Sequence, residues 1–201
     1  MIPMPLARIA QLVNGRLHGG DGAFDIDAVV TDTRKLDTTD ARALLFVALK
    51  GDSFDGHDHV VQAAAAGARA ALVARVVEAD IPQILVADPQ VALGALAGAV
   101  QRARAATVIG ITGSNGKTSV KQLVAAVLSR HAATCFNPGN LNNEIGLPLS
   151  ILDAPEDAAF AVYEMGAGKP GDIAYLTAIA QPRIALVNNI APAHMERMGS
   201  L

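Results

Sequence analysis

The stretch 108–128, VIGITGSNGKTSVKQLVAAVL, constrains the fold more than any other part of the 201-residue chain. Residues 107–112 (TVIGIT) have the length and apolar character of a buried strand, Gly113-Ser114-Asn115-Gly116 is a turn, and an amphipathic run follows. A buried strand that passes through a glycine turn straight into a helix belongs to α/β folds, in which helices cover both faces of a mostly parallel sheet. Such a turn is also an anion site, because successive backbone N–H groups converge there and the helix N-terminus adds positive potential. Gly113 and Gly116 permit backbone angles and close approach that a Cβ would block. In this reading Gly113, Ser114, Asn115, Gly116, Lys117, Thr118 and Ser119 hold ATP, with Lys117 bridging the β and γ phosphates and the Thr118 hydroxyl on Mg²⁺. The strict G-x-x-x-x-G-K-[ST] spacing misses by one place, since position 111 is Ile and glycine stands at 110. The plain alternative is a glycine turn that only caps a helix.

The rest of the chain alternates in the same manner. Leu6, Ile9, Ala10 and Val13 recur at helical spacing and Asn14-Gly15 ends that helix. Strand-length apolar runs follow at 28–34, 43–49, 68–74 and 83–88, with a helix over HVVQAAAAGA between the second and third. Beyond Pro89 the pattern predicts a helix over 90–105, whose far end carries Arg102 and Arg104 where the helix dipole favours cations. The helix after the glycine turn presents Val120, Leu123, Val124, Val127 and Leu128 on one face. Strands at 133–137, 158–165 and 183–190 then alternate with a broken helix at 144–152 and a helix at 172–180. The expected fold class is α/β: a small N-terminal α/β domain over 1–83, then a P-loop domain with a mostly parallel sheet over 84–201, with Pro82 and Pro89 marking the boundary. The closing NNIAPAHMERMGSL follows a strand without a further helix, so the second domain is expected to be cut before completion.

Composition narrows the function. Hydrophobic residues make up 51% and charged residues 17%, the balance of a packed globular chain. Aromatic content is 3% with no Trp, so the core must be Ala, Val, Leu and Ile, which lets helices approach a sheet closely. A net charge of −3 supplies no basic field for nucleic acid or anionic lipid, and neither partner is expected. The single Cys135 cannot form an intrachain disulfide and reads as a core thiol. No signal-peptide pattern opens the chain, and no run approaches the roughly 20 apolar residues of a membrane span, so a cytoplasmic location is expected.

Three further strings bear on chemistry. GAGKPG (166–171) satisfies G-x-G-x-x-G after a strand, but Pro170 interrupts it and no acid stands where a ribose would need one, so it is expected only to shape the chain after Glu164. Glu164 ends a strand at the edge where α/β sheets place ligands. His57-Asp58-His59 offers too few ligands for a metal and reads as a structural turn. No N-K-x-D string is present to read guanine.

GITGSNGKTS, together with TDTRK (31–35), LFVALKGDSFDGHD (45–58), GNLNNEIGLPLSIL (139–152), EMGAGKPGDI (164–173) and NNIAPAHMERMGS (188–200), resembles the Mur ligase family in that family's order. The resemblance implies an ATP-dependent amide ligase of peptidoglycan precursor synthesis that works through an acyl phosphate. Within the family the strings are most similar to the member whose substrates are UDP-N-acetylmuramoyl-tripeptide and D-alanyl-D-alanine. The third-residue-adding ligase is expected to differ around NNEIGLP and EMGA, and folylpolyglutamate synthetases lack ALKGDSFDGHD. A non-catalytic nucleotide-binding protein is the remaining alternative. The resemblance implies catalytic roles for Lys117, Glu164 and His194, with Thr118, Glu164 and His194 as Mg²⁺ ligands. It implies substrate contacts from Thr33, Arg34, Lys50, Asn142, Asn143 and Glu144, although the three residues 142–144 read equally as a helix cap. A modified lysine and a dipeptide-binding domain are implied beyond Leu201, so the chain alone is expected to be inactive; a monomer is expected.

Overall fold

The computed structural model describes residues 1–36 and 42–191. The chain divides into two compact units, Met1–Leu96 and Ala97–Leu201. Elements of the first are β1 (Met4–Pro5), α1 (Leu6–Leu12), β2 (Arg16–His18), β3 (Asp25–Ile26), β4 (Ala28–Val30), β5 (Leu44–Val47), α2 (Val60–Ala65), β6 (Ala68–Val73) and β7 (Gln83–Leu85), and α3 (Pro89–Ala103) crosses the division. The strand β7 straddles the expected boundary at 83/84 and pairs with β6, so the first sheet keeps it and the division falls later, inside α3.

The main sheet of this unit has the order β2-β7-β6-β5-β4, parallel except where β2 runs antiparallel to β7. Every residue of β5 is buried, as a central parallel strand covered on both faces requires. Phe46 from β5, Val60 and Ala63 from α2, and Ala71 and Val73 from β6 form one core cluster. Asn14 adopts φ 52° just after α1, a left-handed residue at the expected helix stop. The strand expected over 28–34 stops at Val30; Asp32 accepts the Arg34 N–H at 3.0 Å and tightens Thr33–Lys35 into a 3₁₀ turn.

The second unit holds β8 (Thr107–Thr112), α4 (Lys117–Leu128), β9 (Thr134–Phe136), α5 (Gly146–Asp153), β10 (Phe160–Glu164), α6 (Asp172–Ala180) and β11 (Ile184–Val187). Its sheet is wholly parallel in the order β11-β8-β10-β9. Glu164 stands opposite Ile111 and Val187 opposite Thr112, so three strands end at one edge. The order turns back at β8, with β9 and β10 to one side and β11 to the other, and α/β sheets open their ligand crevice at such a point.

Three local expectations change. The stripe of α4 that faces the sheet is Lys121, Val124, Ala125 and Leu128, with Val120 beside it; Leu123 and Val127 are exposed. The face is rotated because a lysine occupies its centre. The helix at 146–153 is unbroken, since Pro148 lies in the first turn, where no intrahelical acceptor awaits its missing N–H. Arg104 lies past the end of α3, buried, and its guanidinium donates to the carbonyls of Ile151 and Ala154 at the end of α5. It therefore serves the C-terminus of another helix, not its own.

Candidate functional site

The glycine turn between β8 and α4 is shaped from both sides. Gly113 has φ +139° and Gly116 has φ +74°, angles that L side chains resist. A Cβ on Gly113 would lie 3.0 Å from the backbone N and O of Asn189, and one on Gly116 would lie 2.8 Å from Asn188 Nδ2. Gly110 sits inside β8, where a Cβ would press on Pro182 and Met165, so it packs the sheet and is not part of the turn. The misfit to the strict phosphate-loop spacing has its physical reason there.

The chain after β11 forms the opposite wall. Ser114 N–H donates to Asn189 O at 3.0 Å, Asn115 N–H to Asn189 Oδ1 at 2.9 Å, and Asn188 Nδ2 to Asn115 O at 2.7 Å. Ser114 Oγ donates to Ala191 O at 2.7 Å. Lys117 is the first residue of α4 and folds back, its Nζ donating to Gly113 O at 2.7 Å and Ser114 O at 3.3 Å. No side chain caps α4, and the first N–H groups of a helix lack intrahelical acceptors, so Lys117, Thr118 and Ser119 present donors at the turn.

Thr118 and Glu164, distant in sequence, meet here. Thr118 Oγ1 donates to Glu164 Oε2 at 2.8 Å, and Asn142 Nδ2 donates to Glu164 Oε1 at 2.6 Å. Residues 114–119, Asn142 and Glu164 line one open cleft of about 410 Å³. Clefts of about 490 and 620 Å³ in the first unit gather around Glu78–Ile81 and are lined by none of Thr33, Arg34 and Lys50. We take the smaller cleft as the site because charged and hydroxyl groups converge on it. A hydroxyl and a carboxylate are hard oxygen donors that suit Mg²⁺. Among the described residues no cluster of three or more His, Cys, Asp or Glu exists, so a cation here would complete its shell with phosphate and water.

The other sequence candidates separate. Asn143 Oδ1 accepts the N–H groups of Ile145 (3.3 Å) and Gly146 (2.7 Å) and caps α5, whereas its neighbour Asn142 reaches Glu164. Glu144 is half-buried between Asn143 and α5. His194 lies outside the described residues. In the first unit Arg34 closes a bidentate pair on Asp32 (2.8 Å) and is 87% exposed; its hydrogen bonds hold the Asp32 carboxyl down to about 2. Thr33 Oγ1 donates to Gln62 Oε1 at 3.4 Å. Lys50 is exposed, and its backbone pairs with that of Asp55 in an isolated antiparallel β-bridge.

His57 is buried and spoken for: its Nε2 accepts the Ala74 N–H at 2.8 Å, which leaves the proton on Nδ1, facing Asp55 Oδ1 at 2.6 Å. Asp55 also accepts from Arg75 at 2.8 Å, and that contact, followed by the His57 N–H, holds its carboxyl well below the usual range. At GAGKPG, the N–H groups of Gly168 and Lys169 both donate to Asp172 Oδ2. Burial raises the Cys135 thiol, which removes thiolate character.

Two residues of the site escape sequence reasoning. Asn137 is fully buried; its Nδ2 donates to Glu164 O and Leu141 O, and its Oδ1 accepts the Glu164 N–H. Lys121 is 1% exposed, with Nζ 3.4 Å from Glu164 Oε2. The one signal for Lys121 was its position a turn after Lys117, on the same helix face.

Strand, glycine turn and lysine-led helix define an α/β protein of the phosphate-loop type. Residues 26–127 match the family profile described as "Mur ligase family, catalytic domain", and residues 111–201 match "Mur ligase middle domain". The chain belongs to the Mur ligase family. It is 46% identical over its whole length to the UDP-N-acetylmuramoyl-tripeptide–D-alanyl-D-alanine ligase of Escherichia coli, of which it spans 43%. A MurF crystal structure from Acinetobacter baumannii superposes with a TM-score of 0.91 at 37% identity, over 98% of this chain and 43% of that one. A MurF ligase from Thermotoga maritima, solved in complex with ADP, gives a TM-score of 0.76 at 37% identity, over 84% of this chain and 38% of its own. Among the described residues no helix is long and apolar enough to cross a membrane.

Proposed function

We propose that the chain supplies the nucleotide-binding part of a ligase that joins UDP-N-acetylmuramoyl-tripeptide to D-alanyl-D-alanine in cytoplasmic peptidoglycan synthesis. The observation that carries this reading is the convergence of Lys117, Thr118, Asn142 and Glu164 on one glycine-turn cleft, in a chain 46% identical to a ligase of that name. The first unit would receive the UDP-sugar through Thr33, Arg34 and Lys50; the second would receive ATP on residues 113–119. The protein is taken to act as a monomer.

The chemistry asks for charge control more than for a nucleophilic side chain. Activation of a carboxylate as an acyl phosphate brings several anions together. Lys117 would leave Gly113 O and Ser114 O for the β and γ phosphates, and the helix N–H groups of 117–119 would take phosphate oxygens. Thr118 and Glu164 would hold Mg²⁺, with His194 for a further ion; Mg²⁺ there neutralises phosphate charge. Asn142 would keep Glu164 Oε1 turned, leaving Oε2 toward Thr118. Asn143 and Glu144 would set the loop that faces the tripeptide.

A chimera in which this chain replaces the matching part of the E. coli ligase tests the reading. Phosphate release is expected only with ATP, muramoyl tripeptide and dipeptide together, and Lys117→Ala is expected to lower turnover at least about 100-fold. Release with folate and glutamate instead, or a Lys117→Ala chimera of undiminished rate, would contradict it.

A further inference from the structure

The Lys117 ammonium is the cation that the glycine-turn motif announces, but a second one lies a turn deeper in α4. Lys121 is almost wholly inaccessible: its side chain is 2% exposed, against 3% for that of Glu164. Its Nζ donates to Asn137 O at 2.7 Å and Gly139 O at 3.1 Å and lies 3.4 Å from Glu164 Oε2. Two carbonyl oxygens take two of the three ammonium donors, and Glu164 Oε2 lies within ion-pair distance. Buried on these partners and not lining the cleft, Lys121 does not duplicate Lys117.

Its partner has the opposite arrangement. Glu164 receives neutral donors from Asn142 on Oε1 and Thr118 on Oε2, and neither offsets a buried negative charge. A carboxylate this inaccessible calls for a fixed cation beside it. Lys121, which does not line the cleft, supplies that cation and ties it to the carbonyls of the 137–139 segment. Asn137 in turn holds the backbone N–H and carbonyl of Glu164.

We infer that Lys121 is a positioning residue that keeps the Glu164 carboxylate oriented toward the metal side of the cleft. The inference rests on the reading of Glu164 as a Mg²⁺ ligand. It makes Lys121 matter for the metal-dependent part of nucleotide binding and not for the part supplied by Lys117 and the turn amides.

The test is ATP binding to the 201-residue chain, followed by phosphorus and amide NMR, in excess Mg²⁺ and in EDTA. Wild type is expected to gain at least about tenfold in affinity from Mg²⁺, and Glu164→Gln to lose most of that gain. Lys121→Met is expected to behave like Glu164→Gln, with the gain reduced to about twofold and the affinity in EDTA unchanged within about twofold. Lys121→Arg, which keeps the charge, is expected to recover part of the gain. Should Lys121→Met fail to fold, Lys121→Gln is read in the same way, since its amide can still donate to a carbonyl. Equal loss with and without Mg²⁺ would reduce Lys121 to a structural residue, and a full gain in Lys121→Met would remove its role altogether. Either result overturns the inference while leaving the site reading in place. A wild type indifferent to Mg²⁺, or a Glu164→Gln variant that keeps the full gain, would instead overturn the site reading and this inference with it.

Discussion

Among the described residues of the second unit, two glycine turns share one construction, and the proposed function gives an anion to the first of them. Each follows a parallel strand at the same sheet edge, and each leads into a helix through a left-handed glycine, Gly116 at φ 74° and Gly171 at φ 95°. In both, loop N–H groups already have acceptors within the chain. At 114–115 the acceptors are the neutral oxygens of Asn189, and the ammonium of Lys117 lies over the turn. At 168–169 the acceptor is the carboxylate of Asp172. A phosphate can displace a neutral amide oxygen beside a lysine, whereas it meets a like charge at Asp172. On the proposed reading, the first residue of the helix, Lys117 or Asp172, sets whether an otherwise similar backbone favours an anion.

The largest expected effect separates the turns by charge. Lys117→Ala is expected to weaken Mg–ATP binding by about 100-fold or more, while Asp172→Ala leaves it within about twofold. Titration calorimetry on both variants checks this, and comparable losses would erase the distinction.

A smaller effect separates them by crowding. Gly113→Ala combines a left-handed angle with contacts of 3.0 Å to Asn189, whereas a Cβ on Gly171 meets nothing within 4 Å. Gly113→Ala is expected to cost about 2–3 kcal/mol of stability and Gly171→Ala about 1 kcal/mol, read from denaturant midpoints. Equal costs would show that Asn189 yields freely and that the wall opposite the turn is soft.

The smallest effect lies in the first unit, where Asp55 accepts backbone N–H as Asp172 does but adds Arg75. The folded Asp55 and Asp32 carboxyls both titrate below their ordinary value near 4, Asp32 at about 2. Groups depressed in this way stabilise fully above about pH 4 and lose that contribution as pH falls through the folded value. Both side chains are partly exposed, so a shallow decline of the unfolding midpoint from pH 4 to 2 is expected, flatter in Arg75→Met. An unchanged slope in Arg75→Met would show that solvent screens the pair completely.

Much of this was legible in the residues, and what was not has particular causes. TVIGIT followed by GSNGK announced its strand, turn and helix because apolar length and glycine spacing are local signals. The short antiparallel pieces β1, β2 and β3 have only two or three residues each, too few to show alternation. The buried face of α4 was misplaced because periodicity assigns lysine to solvent, and the partner that makes Lys121 tolerable lies in another strand. The sequence places Arg104 where the dipole of its own helix favours a cation, because its acceptors, at Ile151 and Ala154, are remote in sequence. The division of labour between Asn142 and Asn143 could not be read from adjacent identical residues, because Glu164, which Asn142 reaches, is remote in sequence while the α5 N–H groups that Asn143 caps are local.

The most direct test of the central claim is an amide NMR titration of the chain with Mg–ADP. The largest shift changes are expected at Gly116, Lys117, Thr118 and Ser119, with Gly168, Lys169 and Asp172 unmoved. Changes centred on 168–172, with 116–119 silent, would contradict it.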